Sequence, residues 1–332
     1  MKFLRDLFRY EPCTGGTWEL MLCRLLLVYV ILFPFDLGIF QNGNGFFIDL
    51  TYTTQRAPNG LAQWFDFTFM GDAETRAILK GIFKVACIAY ILGIGSIPAL
   101  GVMAFVMVSQ GTLRNSQGNV HHGTQLICLV VCGQFLANLA LGVYERYKRE
   151  PFSIFTSLWR QRIVFFVTLQ VIAAPYVVAG IWKLHRSGLE WFLNLPNMAV
   201  YVDRNAWQHF QAGGGLEELE RGQALAQLIL DHPILSILFI GPGLFAELFA
   251  FLAPLNRRMA FLFGVGLIAF HKIVGYVMQL TFPLNEAVLL IFYINVPFLI
   301  VWTVGRVAGF FRGGGATRAP LPEDAAGDPP GA

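Results

Sequence analysis

The chain has 332 residues, of which 55% are hydrophobic and only 14% are charged, and its mean hydropathy is +0.56. A soluble globular domain carries roughly 25% charged residues, so this composition leaves too little polar material to cover a water-facing surface. The net charge of +3 comes from scattered basic residues, which excludes a nucleic-acid-binding domain. The composition therefore predicts an integral membrane protein whose partner is the lipid bilayer. It does not indicate any protein partner.

The two ends of the chain differ from the rest. Residues 1–16 begin with MKFLRDLFRY, in which Lys2, Arg5 and Arg9 alternate with apolar residues. This pattern is typical of an amphipathic helix that lies in the cytoplasmic interface, and it is not that of a cleavable signal peptide. Residues 312–332 are rich in Gly, Pro and Ala without apolar periodicity, which predicts a disordered cytoplasmic tail.

Between these ends, residues 17–311 contain a series of apolar runs. A helix that spans a membrane needs about 20 mostly apolar residues, and the runs predict an all-α, polytopic membrane helix bundle of about eight transmembrane helices. A break at Gly93–Pro98 leaves residues 78–110 as two spans or as one kinked span with a re-entrant segment, and their length favours two. The predicted spans lie near residues 19–41, 78–94, 97–110, 123–143, 162–182, 234–254, 258–280 and 284–305.

Charged residues in the connecting loops indicate the orientation. Residues 144–162 contain five basic and two acidic side chains, which places this loop in the cytoplasm. Residues 42–77 are net acidic, and residues 183–232, the long polar insertion, have six carboxylates against four basic groups, so both segments are predicted outside. Eight spans then leave both termini cytoplasmic. The lack of a signal peptide and of paired loop cysteines is compatible with a bacterial inner (plasma) membrane.

Two charged residues inside the predicted spans suggest a buried ion pair. A charge in a membrane helix costs about 2.5–3.5 kcal/mol on insertion scales, so such residues are candidate sites. Arg24 in the first span and Glu247 in the sixth are predicted at similar depth, where they would pair. The alternative is that each side chain extends to the interface, which is easier for Arg24 than for Glu247.

Three further residues are predicted in the extracytoplasmic half of the bundle. His122 begins the fourth span, Lys183 closes the fifth, and His271 lies near the middle of the seventh. Taken singly, Lys183 reads as a cation at a helix end and His271 as a hydrogen-bonded structural group. Together they suggest general-base chemistry on a lipid-soluble substrate, because a lysine in a low-dielectric pocket binds its proton less tightly and a histidine relays protons at neutral pH.

Cys128 and Cys132 are one helical turn apart in the fourth span. This spacing fits a metal or redox pair, but it is more typical of helix packing in a membrane. A four-ligand metal site would need companion residues that the sequence does not place nearby. No metal is therefore predicted.

Two sequence blocks resemble the HTTM family, the transmembrane domain shared with vitamin K-dependent gamma-carboxylase. The first is LQVIAAPYVVAGIWKLHRSGLEW, and the second is GPGLFAELFAFLAPLNRRMAFLFGVGLIAFH with a following Phe-Pro. The resemblance covers roughly residues 5–310. The matching positions are Gln170, Tyr176, Ala179, Gly180, Lys183, Leu184 and Trp191 in the first block, and Glu247, Arg257, Arg258, Phe270, His271, Phe282 and Pro283 in the second.

The resemblance implies a chemistry for Lys183. In the carboxylase, the amine at this position takes a proton from vitamin K hydroquinone, oxygen then gives an epoxide, and the strong base formed allows glutamate carboxylation. The residue at the His122 position assists. The carboxylase also carries a large lumenal domain that holds the peptide, and nothing in this sequence matches it. The resemblance therefore argues against peptide carboxylation and leaves two enzyme classes open, a quinol epoxidase or oxidoreductase and a carboxylase-like lyase.

A second hypothesis is a non-catalytic membrane scaffold, maturation or binding component that uses the same helices. A channel or carrier is less favoured, because the sequence shows neither an inverted repeat nor a long polar helix face. The two leading hypotheses differ in geometry. An enzyme needs Lys183, His122 and His271 to line one pocket, whereas a scaffold does not.

Overall fold

A computed structural model describes residues 7–311, except residues 12, 14, 38–39, 43–45, 47–53, 119–121, 150, 152 and 279. Half of the predicted interfacial helix of residues 1–16, namely residues 1–6, 12 and 14, lies outside the described residues, and so does the predicted tail of residues 312–332. The predictions for these two ends therefore remain predictions.

The described chain is a helical bundle, as predicted. Its first half has five helices and two short strands that pair in antiparallel orientation, with Phe35 opposite Asn42. These elements are α1 (Thr17–Leu32), β1 (Phe35–Leu37), β2 (Phe40–Asn42), α2 (Ala73–Leu92), α3 (Ser96–Asn115), α4 (Gln125–Tyr147) and α5 (Leu158–Ser187).

The second half contains shorter elements as well as long helices. They are α6 (Glu190–Leu193), α7 (Met198–Gln211), α8 (Leu216–Asp231), α9 (Pro233–Leu248), α10 (Arg257–Met278), α11 (Pro283–Phe292) and α12 (Val296–Phe311). Short 3-10 turns connect some of them, among them His122–Thr124 before α4, Leu195–Asn197 before α7 and Ala250–Leu255 between α9 and α10.

Four of the described helices, α3, α4, α5 and α10, are long and apolar enough to cross a membrane. Two bent pairs raise the number to six if each pair is one span: α8 with α9 at 102° and α11 with α12 at 43°. The predicted count of about eight is thus not confirmed. The first predicted span is shorter than expected, because α1 ends at Leu32 and Pro34 restricts the residue before it to an extended conformation.

The break within residues 78–110 separates two helices. Gly93 and Gly95 both have left-handed backbone conformations, with φ of 69° and 54°. A residue with a side chain adopts this conformation only at a cost, so the two glycines favour a turn here. The structure therefore has α2 and α3 as separate helices rather than one continuous helix.

Buried polar side chains between the helices bond to one another. The hydroxyl of Tyr90 on α2 donates to Gln134 Oε1 on α4 at 2.6 Å, and Gln134 Nε2 donates to the Thr168 hydroxyl on α5 at 3.1 Å. Polar groups in an apolar environment are costly unless they are paired. This chain of hydrogen bonds therefore fixes three neighbouring helices relative to one another.

The end of α9 packs closely against the last third of α5. A Cβ atom built on Gly180 would lie 2.9 Å from Leu248 Cγ, so the glycine is what lets the two helices approach. Residues 234–254, predicted as one span, are instead an α-helix to Leu248 followed by the 3-10 turn Ala250–Leu255, which contains Pro254. This arrangement places the last turn of α9 level with the C-terminal turns of α5.

Candidate functional site

A cavity of about 570 Å³ lies between α4, α5, α9, α10 and α11, and we call it the site cavity. Its size is typical of small-molecule sites, which are mostly apolar with a few polar groups. The walls are Gln125, Leu126, Leu129, Pro175, Tyr176, Ala179, Lys183, Trp191, Leu195, Met198, Tyr201, Ile240, Glu247, Phe270, His271, Val274, Met278, Phe282 and Asn285.

Lys183 and Glu247 form an ion pair in the wall of this cavity. The Glu247 side chain is only 7% exposed and the Lys183 side chain 30%. The ammonium group also lies 5.9 Å from the ring centre of Trp191 and 5.6 Å from that of Phe270, distances at which cation–π attraction operates. Lys183 is therefore held by one carboxylate and two aromatic rings.

The predicted pair of Arg24 with Glu247 is wrong. Arg24 donates hydrogen bonds to the Tyr90 carbonyl at 3.2 Å and to Gln161 Oε1 at 3.1 Å, and Glu247 is bonded to Lys183 instead. The prediction placed Glu247 at the wrong depth in the bundle. It assumed a straight sixth span that brings Glu247 level with Arg24, whereas α9 ends at Leu248 beside Gly180.

His271 lies in the same cavity as Lys183. The residue is 5% exposed, and its ring centre is 5.7 Å from that of Tyr176 and 5.0 Å from that of Phe282. Within the described residues, His271 Nδ1, Tyr176 Oη and Asn285 Oδ1 are buried without a hydrogen-bond partner. Buried polar atoms are nearly always paired, so three unpaired ones in a single cavity indicate a place for a polar ligand group.

The position of His122 is described only for its backbone. His122 begins the 3-10 turn His122–Thr124, which leads directly into α4, and Gln125 at the start of α4 lines the site cavity. The side chain of His122 lies outside the described residues. The structure thus brings two of the three predicted residues, Lys183 and His271, to one cavity, and the role of His122 stays a prediction.

Sequence reasoning passed over Tyr176 and Asn285 as site residues and did not find a second ion pair. Lys272 on α10 lies 2.5 Å from the Glu286 carboxylate on α11, and Glu286 is 3% exposed. Glu286 sits in the apolar segment PLNEAVLLIF, so the cost of a charge in a membrane helix could have identified it, as it identified Glu247. Tyr176 carries no charge and gives no comparable signal; in the sequence it stands out only as one of the positions that resemble the HTTM family.

The walls are suited to an apolar molecule that carries a few oxygen atoms. The ion pair offers both a proton donor and a proton acceptor, while Tyr176 and His271 offer neutral hydrogen-bonding groups. Among the described residues, no three His, Cys, Asp or Glu side chains are grouped as a metal site requires.

Comparisons with known proteins returned no matching family model, no matching curated protein and no matching solved structure.

Proposed function

We propose that this integral membrane protein binds a lipid-soluble quinol in the site cavity and accepts a proton from its hydroxyl group. One observation supports this proposal. The Lys183–Glu247 ion pair and the unpaired polar atoms of His271 and Tyr176 line the same mainly apolar cavity. An aromatic ring with two oxygen atoms matches these walls. The two sequence blocks that resemble the HTTM family point to the same substrate class.

The proton step uses the ion pair as a unit. Lys183 passes its ammonium proton to Glu247, and the free amine then takes the proton of the quinol hydroxyl, whose O–H bond breaks. The oxyanion that remains lies beside the restored ammonium group, which stabilises it. His271 and Tyr176 are placed to hydrogen-bond the ligand and hold its ring in position.

Oxidation of the quinol needs molecular oxygen as the electron acceptor. If the quinol gives up two electrons and two protons, the products are the quinone and hydrogen peroxide. If one oxygen atom enters the ring, as the resemblance implies, the products are an epoxide and water. Both reactions balance, and chromatography of the organic product distinguishes them.

Turnover of a reduced vitamin K-type quinone by the purified protein in nanodiscs tests the proposal. We expect oxygen uptake by the wild type and a loss of roughly 100-fold in Lys183→Met, the scale on which a general base contributes. Lys84→Met is the matched control, because Lys84 is exposed and lies on α2, which does not line the site cavity. Equal rates in wild type and Lys183→Met, or no turnover in the wild type, would contradict the proposal.

A second candidate is a non-catalytic binding, maturation or scaffold component. The observation that favours it is that Lys183 is already paired with Glu247 and serves as a helix-to-helix link. In that case the wild type shows no turnover, and Lys183→Met lowers the stability of the protein or its retention of a bound ligand. Oxygen uptake by the wild type separates the two candidates, because both predict a less stable Lys183→Met.

We further propose that both termini are cytoplasmic and that the protein resides in a bacterial inner membrane. The basic loop of residues 144–162 and the acidic segment 183–232 support this orientation. Single cysteines introduced at Lys148 and Gln211 should react with a membrane-impermeant thiol reagent from opposite sides of the membrane. Labelling of both from the same side would contradict it.

A further inference from the structure

A second cavity, of about 460 Å³, lies where the chain bends by 102° between α8 and α9, and we call it the bend cavity. Because α8 turns away from the axis of α9, a space remains between these two helices and α10. Its walls are almost entirely hydrocarbon, as the side chains of Leu225, Ile229, Phe239, Ile273, Tyr276 and Val277 show.

Two polar groups in the walls of the bend cavity already have partners. The Ser236 hydroxyl donates to the Pro233 carbonyl at 2.6 Å, and the Lys272 ammonium pairs with Glu286 at 2.5 Å. The site cavity differs, because its walls contain unpaired polar atoms. A space with apolar walls holds water poorly and accepts apolar ligands. Within a bilayer, a hydrocarbon chain is the natural occupant.

Exposed residues form the edge of this cavity. Leu228, Phe239 and Tyr276 line it and are 43%, 54% and 58% exposed, so the space opens to the surface of the bundle. At this edge the guanidinium of Arg221 lies 5.5 Å above the ring centre of Tyr276. A guanidinium is a strong ligand for phosphate oxygens, so an anionic lipid headgroup matches the charge at the opening.

We propose that the bend cavity binds one acyl chain of an anionic phospholipid, whose phosphate group contacts Arg221. Glu217, Glu218 and Glu220 lie within about one turn of Arg221 on α8. Their carboxylates repel an anionic headgroup, so a preference for such a headgroup has to come from the Arg221 guanidinium. The bend cavity shares the wall residues Met198 and Ile240 with the site cavity, but the lipid site does not depend on the proposed quinol chemistry.

Native mass spectrometry of the protein from nanodiscs of equal parts phosphatidylglycerol and phosphatidylcholine tests this proposal. We expect the wild type to retain one phospholipid that Val277→Phe and Leu225→Phe do not, because the added rings fill the bend cavity. Val178→Phe is the matched control, since Val178 is 64% exposed on α5 and should retain the lipid. Arg221→Gln should retain a phospholipid but lose a roughly fivefold preference for phosphatidylglycerol.

Thermal unfolding and gel filtration first establish that each variant is folded. If either Val277→Phe or Leu225→Phe does not fold, the other still tests the proposal. Equal lipid retention by wild type, Val277→Phe and Leu225→Phe would overturn the proposal. Equal loss in Val178→Phe would also overturn it. An unchanged headgroup preference in Arg221→Gln would contradict the contact between Arg221 and the phosphate group. A quinone retained in place of a phospholipid would overturn the proposal and assign the bend cavity to the substrate.

Discussion

Lys183 on α5 and Glu247 on α9 form an ion pair although 64 residues separate them in the sequence. The close approach of the two helices at Gly180 and Leu248 makes this contact possible. Lys183 therefore has two roles, because it links two helices and is also the candidate base. The first two predictions concern this site.

Breaking the pair from one side should be more costly than from the other. Lys183→Met leaves the Glu247 carboxylate buried without its partner, and we expect it to lower the free energy of unfolding by about 3 kcal/mol. Glu247→Gln should cost less, because the Lys183 side chain is 30% exposed and the ammonium keeps some contact with water. Thermal or denaturant unfolding in detergent measures both.

The single variant Glu247→Leu and the double variant Lys183→Met/Glu247→Leu form a double-mutant cycle with Lys183→Met. We expect the double variant to be more stable than Lys183→Met alone, because two apolar side chains replace the pair and no uncompensated charge remains. Additive losses in the double variant would show that the two residues are not coupled, and the ion pair would then carry no stability.

Removal of the Tyr176 hydroxyl should stabilise the empty protein and weaken ligand binding. This hydroxyl is buried and has no hydrogen-bond partner among the described residues, so Tyr176→Phe should raise the free energy of unfolding by about 1 kcal/mol. The same change should raise the dissociation constant of a quinol about fivefold, because one hydrogen bond is lost. Loss of stability in Tyr176→Phe, without any change in binding, would exclude a role for the hydroxyl in ligand recognition.

Two glycines in helices should respond in opposite ways to alanine. A Cβ at Gly180 would lie 2.9 Å from Leu248 Cγ and 3.2 Å from the Leu248 backbone nitrogen. Gly180→Ala should therefore push α9 away from α5 and destabilise the protein by about 1–3 kcal/mol. Gly81 on α2 has nothing within 4 Å of such a Cβ, and Gly81→Ala should be neutral or stabilising by up to about 1 kcal/mol.

Gly180→Ala should also affect the site cavity, because it shifts the helix that carries Lys183 relative to the helix that carries Glu247. We expect lower quinol turnover in this variant and normal turnover in Gly81→Ala. Similar stability and activity in the two variants would mean that α5 and α9 are not in close contact.

Asp72 should make the start of α2 sensitive to acid. Its carboxylate accepts a hydrogen bond of 2.7 Å from the backbone N–H of Thr75, and this bond lowers the pKa of Asp72 below its ordinary value. Because the pKa is lowered in the folded state, the stabilisation is present above the ordinary aspartate pKa and is lost as the pH falls through the lowered one.

The variant Asp72→Asn tests this pH dependence. Asparagine caps helices about as well as aspartate but does not titrate, so the variant should unfold at a temperature that changes less between about pH 5 and about pH 2.5 than that of the wild type. Identical pH dependence in the two proteins would show that Asp72 does not contribute to it.

The sequence alone determined the class of the protein and the residues worth testing. Low charge and long apolar runs predict a membrane helix bundle, because the bilayer interior accepts few unpaired polar groups. The same cost made Lys183, Glu247 and His271 conspicuous. The glycine pair at 93 and 95 also predicted the break between α2 and α3, since it depends on local backbone conformation only.

Tertiary structure decided which of these residues meet. The partner of Glu247 is Lys183 rather than Arg24, because the choice depends on the depth at which α9 ends and on its approach to α5 at Gly180. Neither quantity has a local signal in the sequence. Two further features likewise depend on how distant helices pack: the bend between α8 and α9, which creates the second cavity, and the unpaired hydroxyl of Tyr176. The pattern of residues along the chain does not indicate this packing.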